Sequence, residues 1–156
     1  MGWKVNNKKK MKTVLVTGSE GFIGGYIVKN LLDKGYKVIG IDNLTKYGEI
    51  IRNHSDNDKY EFHNNDVKDQ EKLKNLMKQC DFLIAGAAMI GGISYFHEFE
   101  YDLISENEKI ISTTTDVAID CYLNHNLKRA VFLSSSMVFE SSNVFPTKED
   151  DVTVAE

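Results

Sequence analysis

Gly18, Gly21 and Gly24 recur at every third position in VLVTGSEGFIGG, directly after a run of strand character and ahead of a helical one. That spacing suits a bound diphosphate. Gly18 permits a tight turn, Gly21 lets backbone amides approach phosphate oxygens, and Gly24 lets the helix lie close to the sheet. The helix start adds unpaired N–H groups and a partial positive charge, with the amides of Phe22 and Ile23 opening the same mouth. Asp42 ends the next apolar run, 18 residues past Gly24, with Asn43 and Leu44 following it. A carboxylate there can accept hydrogen bonds from both hydroxyls of an adenosine ribose, whereas a 2′-phosphate would meet a like charge, so NAD is preferred over NADP. Asp66 ends a third run and can bond an adenine amino group, with Val67 packing nearby; its other reading is an N-cap of the following helix. Farther on, VFLSSSMVFE stops an apolar run at Ser134, Ser135 and Ser136. A hydroxyl there can hold a substrate hydroxyl, or simply cap a strand.

Five elements of strand character must position these residues. Thr13 to Thr17, YKVIGID, KYEFHNND, DFLIAGAA and RAVFLSS read as buried strands, each short and flanked by Gly, Asn or Asp. Between them Phe22 to Lys34 reads as a helix with Phe22, Tyr26, Ile27 and Leu31 on its apolar face, stopped by Gly35. DQEKLKNLMKQ is a second helix, buried through Leu73, Leu76 and Met77, and residues 107 to 124 form a third, carrying Val117, Ala118 and Cys121. Strands alternating with helices predict an α/β Rossmann-type fold, a doubly wound parallel sheet of about five strands. Two long connections, 43 to 58 and 87 to 106, leave the carboxyl ends of strands, where open α/β sheets bind ligands.

With 156 residues the chain suits one domain, expected over 12–156 after a flexible tail at 1–11. A net charge of −4 offers no basic surface for nucleic acid or an anionic membrane, and no apolar run approaches a membrane span. Cys80 and Cys121 form no Cys-x-x-Cys, so both are expected free, in a cytoplasmic setting. His54, His63, His97 and His125 lack metal-ligand spacing, so no metal is expected.

The glycine spacing, IDNL at 41–44, DV at 66–67, AGAA at 85–88 and SSSMVF at 134–139 together resemble the extended short-chain dehydrogenases/reductases. More narrowly, they resemble the NAD-dependent epimerase/dehydratase family of nucleotide-sugar enzymes. The resemblance covers the front half of such an enzyme, so a C-terminal substrate domain is expected to be lacking. It implies Ala85 and Ala87 beside the cofactor, although the family often has His where Ala85 stands. It also implies a nucleotide-sugar substrate whose reacting hydroxyl Ser135 would hold, with Ser136 as a further candidate. Met137 cannot transfer a proton, which tilts the reading away from dehydratases toward epimerase or reductase. AAMIGGI at 87–93 resembles the loop of members converting GDP-linked sugars. Where the family places an Asn near Ile111, Asn107 is the nearest substitute.

In that family the acid/base is the tyrosine of a Tyr-x-x-x-Lys, its pKa lowered by the lysine. None of Tyr26, Tyr36, Tyr47, Tyr60, Tyr95, Tyr101 and Tyr122 is followed by lysine four residues on. The resemblance puts the pair beyond FPTKEDDVTVAE, so the chain alone is expected to be inactive, with an open strand edge and an apolar helix face including Val117 and Cys121. Self-association or a homodimer would follow. The competing expectation is a non-enzymatic dinucleotide-binding sensor or regulatory module.

Overall fold

Short Val-, Ile- and Leu-rich runs cannot fill a helix turn by turn, but they bury both faces of a parallel strand. In the computed structural model they form β1 (Thr13–Thr17), β2 (Lys37–Asp42), β3 (Tyr60–Asn64), β4 (Phe82–Ala85) and β5 (Arg129–Phe132). The helices are α1 (Phe22–Asp33), α2 (Gln70–Met77) and α3 (Glu100–Asn124). The structure describes residues 10–91, 95, 98–135, 139 and 142–151. All strand pairs are parallel and the order is β3-β2-β1-β4-β5. This is the doubly wound Rossmann arrangement. The chain runs outward from β1 through β2 and β3, then returns to β4 beside β1, so the loops after β1 and β4 diverge over a crevice.

Each face of the sheet has its own core. On one, Leu15, Ile39, Ile41 and Leu83 meet Leu73 and Met77 of α2 and Val117 and Cys121 of α3. Burying each such aliphatic side chain contributes roughly 1.5–3 kcal/mol. On the other, Val14, Val16 and Val38 meet Val28 and Leu32 of α1. Asp81 ties β1, β4 and β5 together at the end opposite the crevice, accepting from Thr13 N at 3.0 Å, Lys12 Nζ at 3.2 Å and Lys128 Nζ. Burial pushes its carboxyl up, but these donors outweigh it and hold it at about 2.

Three details differ from the expectations. The buried side of α1 is Gly24, Gly25, Val28 and Leu32; of the expected face Ile27 and Leu31 are half-buried against that core, whereas Phe22 and Tyr26 are not part of it. The helix starts against the glycine turn, where only residues without side chains allow close approach, and that choice rotates Phe22 and Tyr26 outward. They are 66% and 62% exposed and stack edge-on at 5.4 Å between ring centroids. Second, α3 begins at Glu100, inside what reads as a loop, and Glu100 and Asp102 give its first turn the negative charge a helix start favours. Third, Val117 and Cys121 are 1% and 0% exposed, packed against the sheet and α2. The open face of α3 is instead Ile111, Ile119, Tyr122 and Leu123. No described helix is long and apolar enough to cross a membrane.

Candidate functional site

The turn after β1 is built by backbone contacts. Gly18 has φ +70°, and its N–H donates to Ile41 O at 2.9 Å, docking the turn onto β2. A Cβ at Gly18 would sit 2.9 Å from Ala87 N, and one at Gly24 would collide with Gly18 O. Both positions therefore exclude side chains. Gly21 is the N-cap of α1, with φ −68° and ψ 170°, and no side chain caps it. The first-turn amides, including those of Phe22 and Ile23, have no side-chain cap, and the side chains of Phe22 and Ile23 are exposed along the outer surface of α1.

Asp42, at the end of β2, faces this mouth. Its Oδ2 accepts from Glu20 N at 3.0 Å and its Oδ1 from Leu44 N at 2.8 Å, with Leu44 held at φ 59°. Each oxygen keeps a further lone pair free to accept another hydrogen bond. Asn43 Nδ2 donates to Asp66 Oδ2 at 3.1 Å, joining the ends of β2 and β3, while Asp66 Oδ1 accepts from Lys68 N at 2.9 Å. Asp66 does not cap α2; Asp69 does, accepting from Lys72 N. Lys68 pairs with Glu106 of α3, which raises its pKa and fixes the rim from the other side. Val67 is buried in the core below.

Across the crevice, Thr17 Oγ1 accepts from Gly86 N and Ala87 N, each at 3.1 Å, and so sets the start of the loop after β4. Asn107 holds the next stretch with both ends of its amide: Met89 N donates to Oδ1 at 2.8 Å and Nδ2 donates to Met89 O at 2.9 Å. Ala85, Ala87, Thr17, Asn107, Thr114 and Leu133 line a cavity of about 140 Å³ there. Thr114 Oγ1 is buried in it without a partner among the described residues. Ser135 is exposed beyond the end of β5, and Ser136 lies outside the described residues. Thus Asp42, Asn43, Asp66 and the glycine turn come together, with Ala87 against Gly18 and Ala85 in the neighbouring cavity, while Ser135 is an exposed residue beyond β5.

Sequence reasoning missed Thr17, Glu20, Arg52 and Tyr60. Thr17 reads only as the last residue of a strand. Glu20 occupies an unspecified position between two glycines, yet its carboxylate accepts from Arg52 Nε at 3.1 Å and from the Tyr60 hydroxyl at 2.6 Å. Burial, then the bond to Glu20, raises the Tyr60 pKa, so the phenol stays protonated and can only donate to that carboxylate. A separation of 32 residues between Arg52 and Glu20 leaves no local signal. Among the described residues no group of three His, Cys, Asp or Glu could hold a metal ion.

These features have counterparts in known proteins. The model of the NAD dependent epimerase/dehydratase family matches residues 14–155. UDP-glucose 4-epimerase of Drosophila melanogaster is 26% identical over 90% of this chain and 42% of its own length. UDP-N-acetylglucosamine 4-epimerase of Methanobrevibacter ruminantium, solved with UDP-N-acetylmuramic acid, is 31% identical with a TM-score of 0.73, covering 90% of this chain and 43% of that one. The Bordetella bronchiseptica enzyme WbmH, solved with NAD+, is 26% identical with a TM-score of 0.73, covering 90% of this chain and 45% of that one. The chain therefore spans less than half the length of the proteins it matches.

Proposed function

Because the chain belongs to the NAD-dependent epimerase/dehydratase family, we propose that it is the NAD-binding portion of a nucleotide-sugar epimerase or reductase and does not turn over alone. The observation that carries this is the Asp42 carboxylate bonded to the glycine turn through Glu20 N, beside uncapped amides of α1. A diphosphate fits those amides, and an adenosine ribose fits the two lone pairs that Asp42 keeps free. Held by the glycine turn and Asp42, NAD would supply a hydride acceptor for a sugar carbon. The chain's own residues bind and orient: Asp42 grips the ribose, Asn43 and Asp66 border the adenine, and Ala85 and Ala87 leave room where the cofactor crosses β4. Ser135 holds the reacting sugar hydroxyl, with Ser136 as a neighbour.

The sequence has no Tyr-x-x-x-Lys, so it supplies no group to move the hydroxyl proton, and binding without turnover follows. The resemblance of AAMIGGI at 87–93 to the loop of members converting GDP-linked sugars leans the substrate toward a GDP-linked sugar, and two buried free thiols suit a cytoplasmic setting. Titration calorimetry on the 156-residue chain tests the binding: NAD should bind with NADP at least tenfold weaker, and equal or tighter NADP would overturn the Asp42 assignment. Incubation with NAD and GDP- or UDP-linked hexoses should give no epimer and no NADH, and any turnover would remove the claim of inactivity.

A further inference from the structure

No helix links β2 to β3, and the polar cluster that lies beneath the glycine turn closes with two residues from the far side of that turn, Arg52 in the connection and Tyr60 at the start of β3. Arg52 donates from Nε to Glu20 Oε2 at 3.1 Å, from Nη2 to Gly21 O at 3.2 Å, and from Nη2 to Glu20 O. The Tyr60 hydroxyl donates to Glu20 Oε1 at 2.6 Å and lies 3.2 Å from Ser19 Oγ. Two absent side chains make the room. A Cβ at Gly25 would lie 2.7 Å from Arg52 Nη1, and one at Gly40 would meet Ser19 Oγ at 2.6 Å and run into the Tyr60 hydroxyl. Glu20 is only 8% exposed.

A buried carboxylate in a turn that receives a diphosphate is electrostatically unfavourable for that task, so its placement calls for a reason. The backbone of Glu20 supplies one. Its N–H donates to Asp42 Oδ2 while its carbonyl accepts from Arg52, so a single residue separates the guanidinium from the carboxylate of the ribose site. An arginine fork in that position is the group that accommodates a 2′-phosphate in NADP-binding sites. Here the fork is spent on Glu20 and two carbonyls. Counting formal charge, Asp42 and Glu20 against Arg52 leave the ribose end negative.

We propose that Glu20 is a second selector for NAD: by holding Arg52 in an ion pair it withholds from the cofactor the cation that a 2′-phosphate would need. The proposal rests on the reading that Asp42 holds the adenosine ribose. Asp42 refuses the 2′-phosphate by direct repulsion, and Glu20 refuses it by occupying its counter-charge.

Titration calorimetry with NAD and NADP on the full chain and on Glu20→Gln, Arg52→Ala and the double variant tests it, with circular dichroism as the check on folding. Glu20→Gln should raise NADP affinity relative to NAD at least tenfold, Arg52→Ala should not, and the double variant should lose the gain. An unchanged NADP/NAD ratio in Glu20→Gln, or a gain that survives without Arg52, overturns the proposal. Should Glu20→Gln fail to fold, Glu20→Ser is read by the same criterion; failure of both would make the cluster a folding element and end the proposal. Absence of NAD binding by the unaltered chain would instead strike the underlying reading of the site, so the two failures are distinguishable.

Discussion

Asp42 accepts from two backbone N–H groups, and Asp66 accepts from an amide and a backbone N–H. Across the crevice, Phe132 and Leu133 are 43% and 46% exposed, and the buried Thr114 hydroxyl has no partner among the described residues. The β1–β2–β3 side is organised mostly by contacts among residues 18 to 68, with Glu106 on Lys68 and Ile90 O on Lys46 Nζ as anchors from farther along the chain. Both sides end in an edge strand, β3 and β5; the difference lies in Asn43, which ties the ends of β2 and β3 together through Asp66. A site whose polar groups are already held in place spends less free energy on ordering when its ligand arrives. The adenosine side should therefore bind on its own terms, independently of the side that carries Ser135.

The largest test of that asymmetry is a pair of substitutions. Asp42→Ala removes two charge-assisted hydrogen bonds, each worth about 1.5–3 kcal/mol, as well as the ribose contact. NAD affinity measured by calorimetry should fall at least about a hundredfold, given that each 1.4 kcal/mol is a factor of ten. Ser135→Ala should change it by less than about twofold. Comparable losses would mean that the two sides act as one unit.

A smaller effect is expected from the bare strand. Val131, Phe132 and Leu133 are all more than 40% exposed on or beside the open edge of β5, a surface that invites pairing with a second copy. Sedimentation velocity should show self-association that rises with protein concentration. Val131→Lys should reduce it while leaving the NAD dissociation constant within about twofold. A protein that stays monomeric throughout, or a lysine variant that also loses NAD, would break the separation between the two sides.

How much of this was legible depends on whether the cause is local. The parallel doubly wound sheet follows from alternation of β and α patterns, and α2 with its buried Leu73, Leu76 and Met77 follows from helical spacing. The glycine turn and Asp42 are legible because strand, turn and helix are contiguous. On α1 Ile27 and Leu31 of the expected face do pack on the core, but Phe22 and Tyr26 do not, because the glycine turn and not side-chain hydrophobicity decides which first-turn residues approach the sheet. On α3 the apolar residues wrap most of the helix, so periodicity alone gave no way to tell that Val117 and Cys121 face inward and Ile119 and Tyr122 outward. Gly40 reads as one more small strand residue; its reason, room for the Tyr60 hydroxyl and Ser19, exists only once β2 and β3 are paired.

The smallest expected effect concerns how the adenosine side is kept closed. His54 is 6% exposed and stands edge-on to Tyr60, with ring centroids 5.1 Å apart and Nε2 without a partner among the described residues. Burial lowers its pKa; Glu20 opposes the shift, and Arg52 and Lys29 add to it. The folded chain therefore holds His54 neutral at a pH where the unfolded chain would already bind a proton. The linkage then has one sign: stability is full above the ordinary histidine value of about 6.5 and is lost as pH falls below it, because unfolding takes up the proton. The melting temperature followed by circular dichroism should fall as pH is lowered from about 7 to 5.5. His54→Phe, which keeps an aromatic ring against Tyr60 and cannot titrate, should flatten that slope. If the slope persists, or if acid weakens the β4–β5 side first, His54 is not the group whose protonation loosens the 43–59 connection.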